Sequence, residues 1–144
     1  MIGTDDIKLE DLLKIAADTL VGFKEANINE FSAEARKEIE ARGGKVLQTT
    51  MPFHSINDAI RTRTGGSPET LVADALRILG QGTKVCIEIV AMVCDAGLVE
   101  SGKNVLAIAG TNRGADTILI IKSANSRRLF DMKIIEIVAK PQKL

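Results

Sequence analysis

The chain of 144 residues contains no tryptophan and no tyrosine, and only four phenylalanines. Single-stranded nucleic acids bind largely by stacking their bases on aromatic rings, so this scarcity argues against a base-stacking surface. An excess of charge is also missing, because 19 basic residues balance 19 acidic ones. Since nucleic-acid affinity depends on clustered lysine and arginine, we expect no nucleic-acid partner.

Long apolar runs and targeting signals are absent from the sequence as well. No stretch of about 18 consecutive apolar residues occurs, so we expect no membrane span and no membrane partner. The first residues are polar and acidic, unlike a secretory or transit peptide. On one helix, Cys86 and Cys94 would have Cα atoms ~12 Å apart, beyond the about 7 Å that a disulfide allows. Two reduced thiols predict a cytoplasmic protein.

Catalytic and metal-binding patterns are scarce. His54 is the single histidine, so neither a Ser-His-Asp triad nor a histidine metal cluster is expected. No paired carboxylates or Cys/His spacings stand out, and we predict no metal site. Glu88, on an apolar segment, could be a poised acid, and the simpler alternative is that it pairs with Lys84 or caps a polar gap.

The length fits one domain over residues 1–144. The apolar spacing predicts that helices come first and strands last. Residues 83–97 are β-branched enough for a strand, but their length favours a buried helix. Strands 105–109 and 117–121 are predicted to be antiparallel, because the seven residues between them are too few for a parallel crossover. The remaining predicted elements are a helix over 7–18, a strand at 19–23, a helix capped by Ser32 and ended by Gly43, a strand at 45–49, a short helix capped by Ser55, a helix starting at Ser67 and a strand at 134–138.

The first candidate site is the connection at residues 110–117, called the 110–117 loop below. It follows a buried strand, where ligands bind in α/β sheets, and its glycines allow close backbone approach. Arg113 could bind a phosphate or carboxylate, although a polar connection with a solvated arginine is the simpler alternative. The residues predicted to bind the ligand are Gly110, Thr111, Asn112, Arg113, Gly114, Asp116 and Thr117.

The second candidate site is the junction before the short helix, residues 49–55, called the 49–55 junction below. Thr49, Thr50 and Ser55 supply hydroxyls beside a helix N-terminus, which predicts an anion cradle. Ordinary helix capping by Ser55, with Asp58 completing a variant capping box, is the alternative. Arg61 and Arg63 form a third candidate, whose alternative is simple complementation of a helix C-terminus.

Residues 80–121, GQGTKVCIEIVAMVCDAGLVESGKNVLAIAGTNRGADTILII, resemble the stand-alone proteins similar to the pyruvate kinase C-terminal α/β domain. The likeness extends upstream through EARKEIEARGGKVLQT and downstream through LFDMKIIEIVAKP, over about residues 19–141. GTKVCIEI, DAGL and GTNRGADT in this order make the resemblance specific.

The resemblance implies a three-layer α/β/α sandwich with a mixed sheet and a helix over 83–97. In pyruvate kinases the matching loop belongs to a sugar-bisphosphate pocket, and stand-alone relatives imply flavin mononucleotide (FMN) as a cofactor. The chain is too short for the catalytic barrel, so no kinase activity is expected. We expect the family's first β/α portion to be absent, and an open sheet edge would favour a homo-oligomer.

These observations predict an α/β module that binds a small phosphorylated metabolite or a flavin nucleotide, without being an enzyme. Two alternatives stay open. One is a flavin-dependent enzyme of unknown reaction, and the other is an oligomeric structural or interaction protein with a degenerate site.

Overall fold

The computed structural model describes residues 15–18, 20–111 and 114–142. The chain divides into two compact units, Met1–Gln48 and Thr49–Leu144, and each is considered by itself. The single-domain organisation predicted from length stays a prediction.

The first unit contains two short parallel strands and one helix. Strands β1 (Ile15–Asp18) and β2 (Lys45–Gln48) pair with Ile15 opposite Lys45. Helix α1 (Ala33–Ala41) begins at Ser32, whose hydroxyl accepts the N–H of Ala35 at 3.0 Å. The predicted cap, helix and second strand are therefore confirmed.

The start of the chain corrects two predictions. Residues 15–18 form a strand and not the end of a helix over 7–18; residues 7–14 of that predicted helix lie outside the described residues. The apolar spacing there fits a helix, but pairing with β2 decides the conformation, since tertiary context overrides local propensity. The predicted strand at 19–23 is also wrong over residues 20–23, where Gly22 takes a left-handed φ of +81° in a turn.

The second unit begins with three helices in succession. They are α2 (Ile56–Thr64), α3 (Pro68–Arg77) and α4 (Gln81–Asp95). Helix α3 starts as predicted, with the Ser67 hydroxyl accepting the N–H of Thr70 and Pro68 in the first position. The 15-residue α4 confirms the helix predicted over 83–97.

Three antiparallel strands complete the second unit. Strands β3 (Asn104–Ala109), β4 (Thr117–Lys122) and β5 (Lys133–Ala139) lie in the order β3-β4-β5. The antiparallel pairing of β3 and β4 is confirmed. A short 3-10 segment, Ser126–Asp131, connects β4 to β5, and the β4–β5 register shifts at two places.

The core of the second unit forms where α4 packs on β3 and β4. Ten of the 15 residues of α4 are buried, which explains why its sequence is apolar almost all round. Both cysteines lie on α4, and neither forms a disulfide. The buried apolar residues that form the main core cluster are Phe53, Ala73, Cys86, Ile87, Val90, Ala107, Ala109, Leu119 and Ile121.

These two sheets and four helices confirm the mixed α/β class predicted from the sequence. Among the described residues, no helix is both long and apolar enough to cross a membrane.

Candidate functional site

A buried ion pair on α4 reaches the 49–55 junction. Lys84 and Glu88 have fully buried side chains, and the Lys84 ammonium contacts the Glu88 carboxylate, which confirms the predicted pair. The other carboxylate oxygen, Oε1, accepts the backbone N–H of Phe53 at 2.9 Å. Lys84 Nζ also lies 5.5 Å from the centroid of the Phe53 ring. Burial lowers the pKa of Lys84, although Glu88 opposes that shift. The buried pair therefore holds the junction backbone at Phe53 through the Glu88 carboxylate.

Ser55 has an unusual backbone conformation at the end of the junction. Its φ is +62° and its ψ is −112°, a region that residues with a side chain rarely adopt. The predicted cap is wrong, because the Ser55 side chain makes no capping hydrogen bond to α2. Its buried Oγ has no hydrogen-bond partner in the part of the chain that the structure describes. Asp58, predicted to complete the capping box, pairs with His54 instead.

His54 and Asp58 form an ion-pair geometry across one turn, with Nδ1 and Oδ2 2.8 Å apart. This hydrogen bond is the main reason that the pKa of Asp58 lies below its ordinary value of 3.8. Arg61 Nε lies 3.6 Å from the other oxygen of Asp58. Arg61 is thus engaged with its own helix, and both arginines of the third candidate site lie in the last turn of α2, where complementation of the helix C-terminus places them.

A cavity of about 280 Å³ opens beside the junction and the start of α2. It brings together two predicted site residues, Thr50 and Ser55, whereas Thr49 is half-buried and does not line it. The residues lining the cavity are Thr50, Met51, Pro52, His54, Ser55, Ile56, Asn57, Ile60 and Glu69.

The 110–117 loop is closed by its own acidic residue. Asp116 donates its N–H to the Ala109 carbonyl at 2.9 Å. Its carboxylate accepts the N–H of Thr111 at 2.8 Å and the hydroxyl of Thr117 at 2.6 Å. Hydrogen bonds from Thr111, and then from Thr117, lower the pKa of Asp116. The carboxylate is therefore charged at neutral pH and is used inside the loop.

Two glycines of the loop are required by its geometry. A Cβ placed on Gly110 would lie 1.9 Å from the Gly114 carbonyl oxygen, so only glycine permits this approach. Gly114 has a φ of +74°, which glycine adopts without strain. Asn112 and Arg113 lie outside the described residues, so their predicted roles stay predictions.

The loop packs against the first turn of α4. A Cβ placed on Gly82 would lie 2.0 Å from Thr117 Oγ1 and 2.9 Å from Asp116 Oδ1. Gly80, the N-cap residue of α4, provides no side-chain capping bond. The first N–H groups of a helix have no intrahelical partners and carry a partial positive charge. Asp116 therefore places its negative charge beside the positive end of α4.

The structure brings the predicted residues together in two groups rather than one. Gly82 supports the 110–117 loop and Glu88 supports the 49–55 junction, six residues further along the same helix. At 1.5 Å and 100° per residue, the two supports are about 9 Å apart along the axis and about 120° apart around it. The two groups therefore contact different sides of α4.

The described side chains offer little support for metal binding or for catalysis by a thiolate. No group of three His, Cys, Asp or Glu side chains among the described residues is placed to hold a metal ion. Burial, and secondarily the charge of Asp116, raises the pKa of Cys86 to about 12. A thiol with that pKa is not a nucleophile at neutral pH.

A scan of the chain against models of known protein families finds no match.

Two contacts of the site were missed by the sequence interpretation. The His54–Asp58 pair has a detectable signal, because hydrogen-bonding side chains four residues apart can meet across the turn at which a helix begins. The bond from Phe53 to Glu88 spans 35 residues and has no local signal. The unpartnered hydroxyl of Ser55 also has no local sequence signal, because whether a hydroxyl finds a partner depends on the tertiary structure around it.

Proposed function

We propose that the protein is a small-molecule-binding α/β module that takes a phosphorylated metabolite or a flavin nucleotide such as FMN. The observation that carries the proposal is the position of the 110–117 loop beside the first turn of α4, which no side chain caps. Helix N-termini bind phosphate groups through backbone N–H groups and the helix dipole. Thr111, exposed in this loop, adds a hydroxyl donor.

Asp116 determines how a phosphate would bind here. Its carboxylate lies between Thr111 and Thr117, and it competes electrostatically with any second anion at the start of α4. Arg113, in the same loop, carries the positive charge that would offset this repulsion. The proposal therefore assigns the phosphate to the exposed side of the loop and gives Arg113 the main role in holding it.

The proposal also includes the layer architecture, the oligomeric state and the cellular location of the protein. We propose the three-layer α/β/α sandwich with a mixed sheet that the resemblance to the pyruvate kinase C-terminal domain implies, supported by the packing of α4 on β3 and β4. A homo-oligomer is supported by β5, which pairs only with β4 among the described strands and exposes Ile135, Ile137 and Val138. A cytoplasmic location is proposed with it.

The test is a titration of the purified protein with FMN and, separately, with a sugar bisphosphate. Flavin fluorescence and isothermal calorimetry report binding, and we expect Arg113→Ala to weaken it at least tenfold. Arg127→Ala is the matched control, since Arg127 is an exposed arginine elsewhere in the second unit. Absence of binding by the unmodified protein would contradict the proposal, as would equal losses in both variants.

A further inference from the structure

Ser55 carries two unfavourable features at one place. A residue other than glycine at φ +62° and ψ −112° is strained, and such strain costs on the order of 1–3 kcal/mol. A buried hydroxyl without a partner costs on the order of 1–3 kcal/mol more. Strain and unsatisfied polar groups persist mainly where function requires them, and Ser55 lines a cavity.

The rest of the cavity wall is mainly apolar. Met51, Pro52, Ile56 and Ile60 supply side chains without polar hydrogen-bonding groups. Ile56 is 77 % exposed and Ile60 44 % exposed, so apolar surface at the cavity remains in contact with water. Covering it with an apolar group is favourable by about 25 cal/mol per Å². The body of a ligand that fits this surface is apolar.

The charges at the cavity disfavour an anion. None of the described residues that line it is a lysine or an arginine. Glu69 lines the cavity, and hydrogen bonds from its own backbone and from Ser67 lower its pKa, which keeps it negatively charged. Asp58, bound to His54, adds a second carboxylate nearby. A phosphate would meet these carboxylates without a lysine or an arginine in the cavity wall, and the one histidine of the wall, His54, is already bonded to Asp58.

We propose that this cavity binds an uncharged small molecule with an apolar body and a carbonyl or amide group that serves as the missing partner of the Ser55 hydroxyl. Ser55 is only partly buried, so rotation about its Cα–Cβ bond can turn the oxygen toward the cavity. The volume of about 280 Å³ suits a compact molecule, being just below the about 300–1,000 Å³ of pockets for larger ligands. The site is separate from phosphate binding at the 110–117 loop and does not depend on it.

The test compares benzamide with benzoate, which has the same ring and nearly the same size but carries a negative charge. Binding is followed by NMR through backbone amides of residues 50–60 and the methyl groups of Ile56 and Ile60. We expect benzamide to shift these signals with saturation, benzoate to bind at least fivefold more weakly, and inorganic phosphate to leave them unchanged. Benzoate or phosphate binding as tightly as benzamide would show an anion cradle and overturn the proposal.

Two variants locate the contacts. Ser55→Ala removes the hydrogen bond and is expected to weaken benzamide about two- to tenfold, while Ile56→Glu disrupts the apolar wall and is expected to weaken it further. Ser126→Ala, an exposed serine outside the cavity, is the control and should leave the affinity unchanged. Melting curves verify that each variant is folded. No saturable shift with benzamide, or an unchanged affinity in Ser55→Ala, would contradict the proposal.

Discussion

The 110–117 loop and the 49–55 junction both contact α4, but they differ in whether their polar side chains are hydrogen-bonded. In the loop, the Asp116 carboxylate accepts hydrogen bonds from Thr111 and Thr117, and the chain closes on itself. In the junction, Phe53 is held by Glu88 while the Ser55 hydroxyl, two residues later, has no partner among the described residues. In the loop, Thr111 and Thr117 both therefore hydrogen-bond to Asp116. In the junction, the Ser55 hydroxyl is left without a hydrogen bond to any described residue.

The difference indicates two kinds of preorganisation. The hydrogen bonds of Asp116 tie the two ends of the 110–117 loop together, so under the proposed function these ends would lose little further conformational entropy on binding a ligand. A junction held rigidly at one residue can keep the next one in a strained conformation, because strain persists only where the surroundings over-determine it. The contrast can be tested by perturbing each support in turn.

The largest effect is expected from Glu88→Ala. It leaves the buried Lys84 ammonium and the Phe53 N–H without their partner, and loss of one member of a buried pair costs about 3–5 kcal/mol. Denaturant unfolding monitored by circular dichroism measures the loss. The double variant Lys84→Met with Glu88→Gln removes both charges and keeps an acceptor for Phe53, so most of the stability should return. Equal stability of the single and double variants would contradict this account.

The support of the loop is tested by Gly82→Ala, which should lower the free energy of unfolding by about 1–3 kcal/mol. Its Cβ would overlap Thr117 Oγ1, with no open space to receive it. The control is Gly66→Ala, where a Cβ would meet no atom within 4 Å. NMR shifts should concentrate at Thr111 and Asp116 and spare Phe53. If both substitutions cost the same, the close packing is not what requires glycine at position 82.

Replacing Ser55 is expected to raise the free energy of unfolding, whereas the two preceding substitutions lower it. Ser55→Gly removes the strain and the unsatisfied hydroxyl at the cost of backbone entropy, so stability should rise by about 1 kcal/mol. Ser67→Gly makes the same chemical change at an N-cap whose hydroxyl accepts the N–H of Thr70 and donates to Asn57 Oδ1, so it should lower stability. Thermal unfolding of both variants measures the two signs. A decrease in both would show that Ser55 is not strained in solution.

The smallest effect concerns His54 and Asp58. The lowered pKa of Asp58 means that the pair stabilises the fold above the ordinary pKa of 3.8, and that this stability is lost as the pH falls through the folded-state pKa. Because the Asp58 side chain is 41 % exposed, the contribution is about 0–1 kcal/mol. In His54→Ala, NMR titration should place the pKa of Asp58 higher than in the parent protein. An unchanged pKa would assign the shift to other neighbours, such as Arg61.

Local patterns in the sequence predicted the helices and the β3–β4 hairpin well. Ser67 and Pro68 specify the start of α3 through capping chemistry, which acts within a few residues. The Lys84–Glu88 pair follows from spacing along one helix. The short separation of β3 and β4 determined their antiparallel pairing.

The errors occurred where distant residues decide the conformation. Residues 15–18 have helical apolar spacing, yet their hydrogen bonds go to β2, about thirty positions away. Ser55 has the residue type of a cap but is placed in a left-handed conformation beside a junction held by Glu88, 35 residues from Phe53. The residues assigned to the candidate site stay a prediction, whereas the closure of the loop by Asp116 and the unpartnered Ser55 hydroxyl depend on three-dimensional contacts that no local pattern encodes.

The two register shifts between β4 and β5 make the pairing of β5 irregular, and this irregularity affects whether identical strands could stack on it. A straight edge strand with exposed isoleucines is a template for fibril growth, because identical strands can stack on it without limit. Irregular pairing bends and twists such a strand, so a copy added to β5 cannot present the same flat edge to the next. Lys133, the first residue of β5, and Lys140, the residue that follows its last, would add charge repulsion to any regular stack. The irregularity therefore opposes unlimited growth of any assembly in which copies would pair through β5.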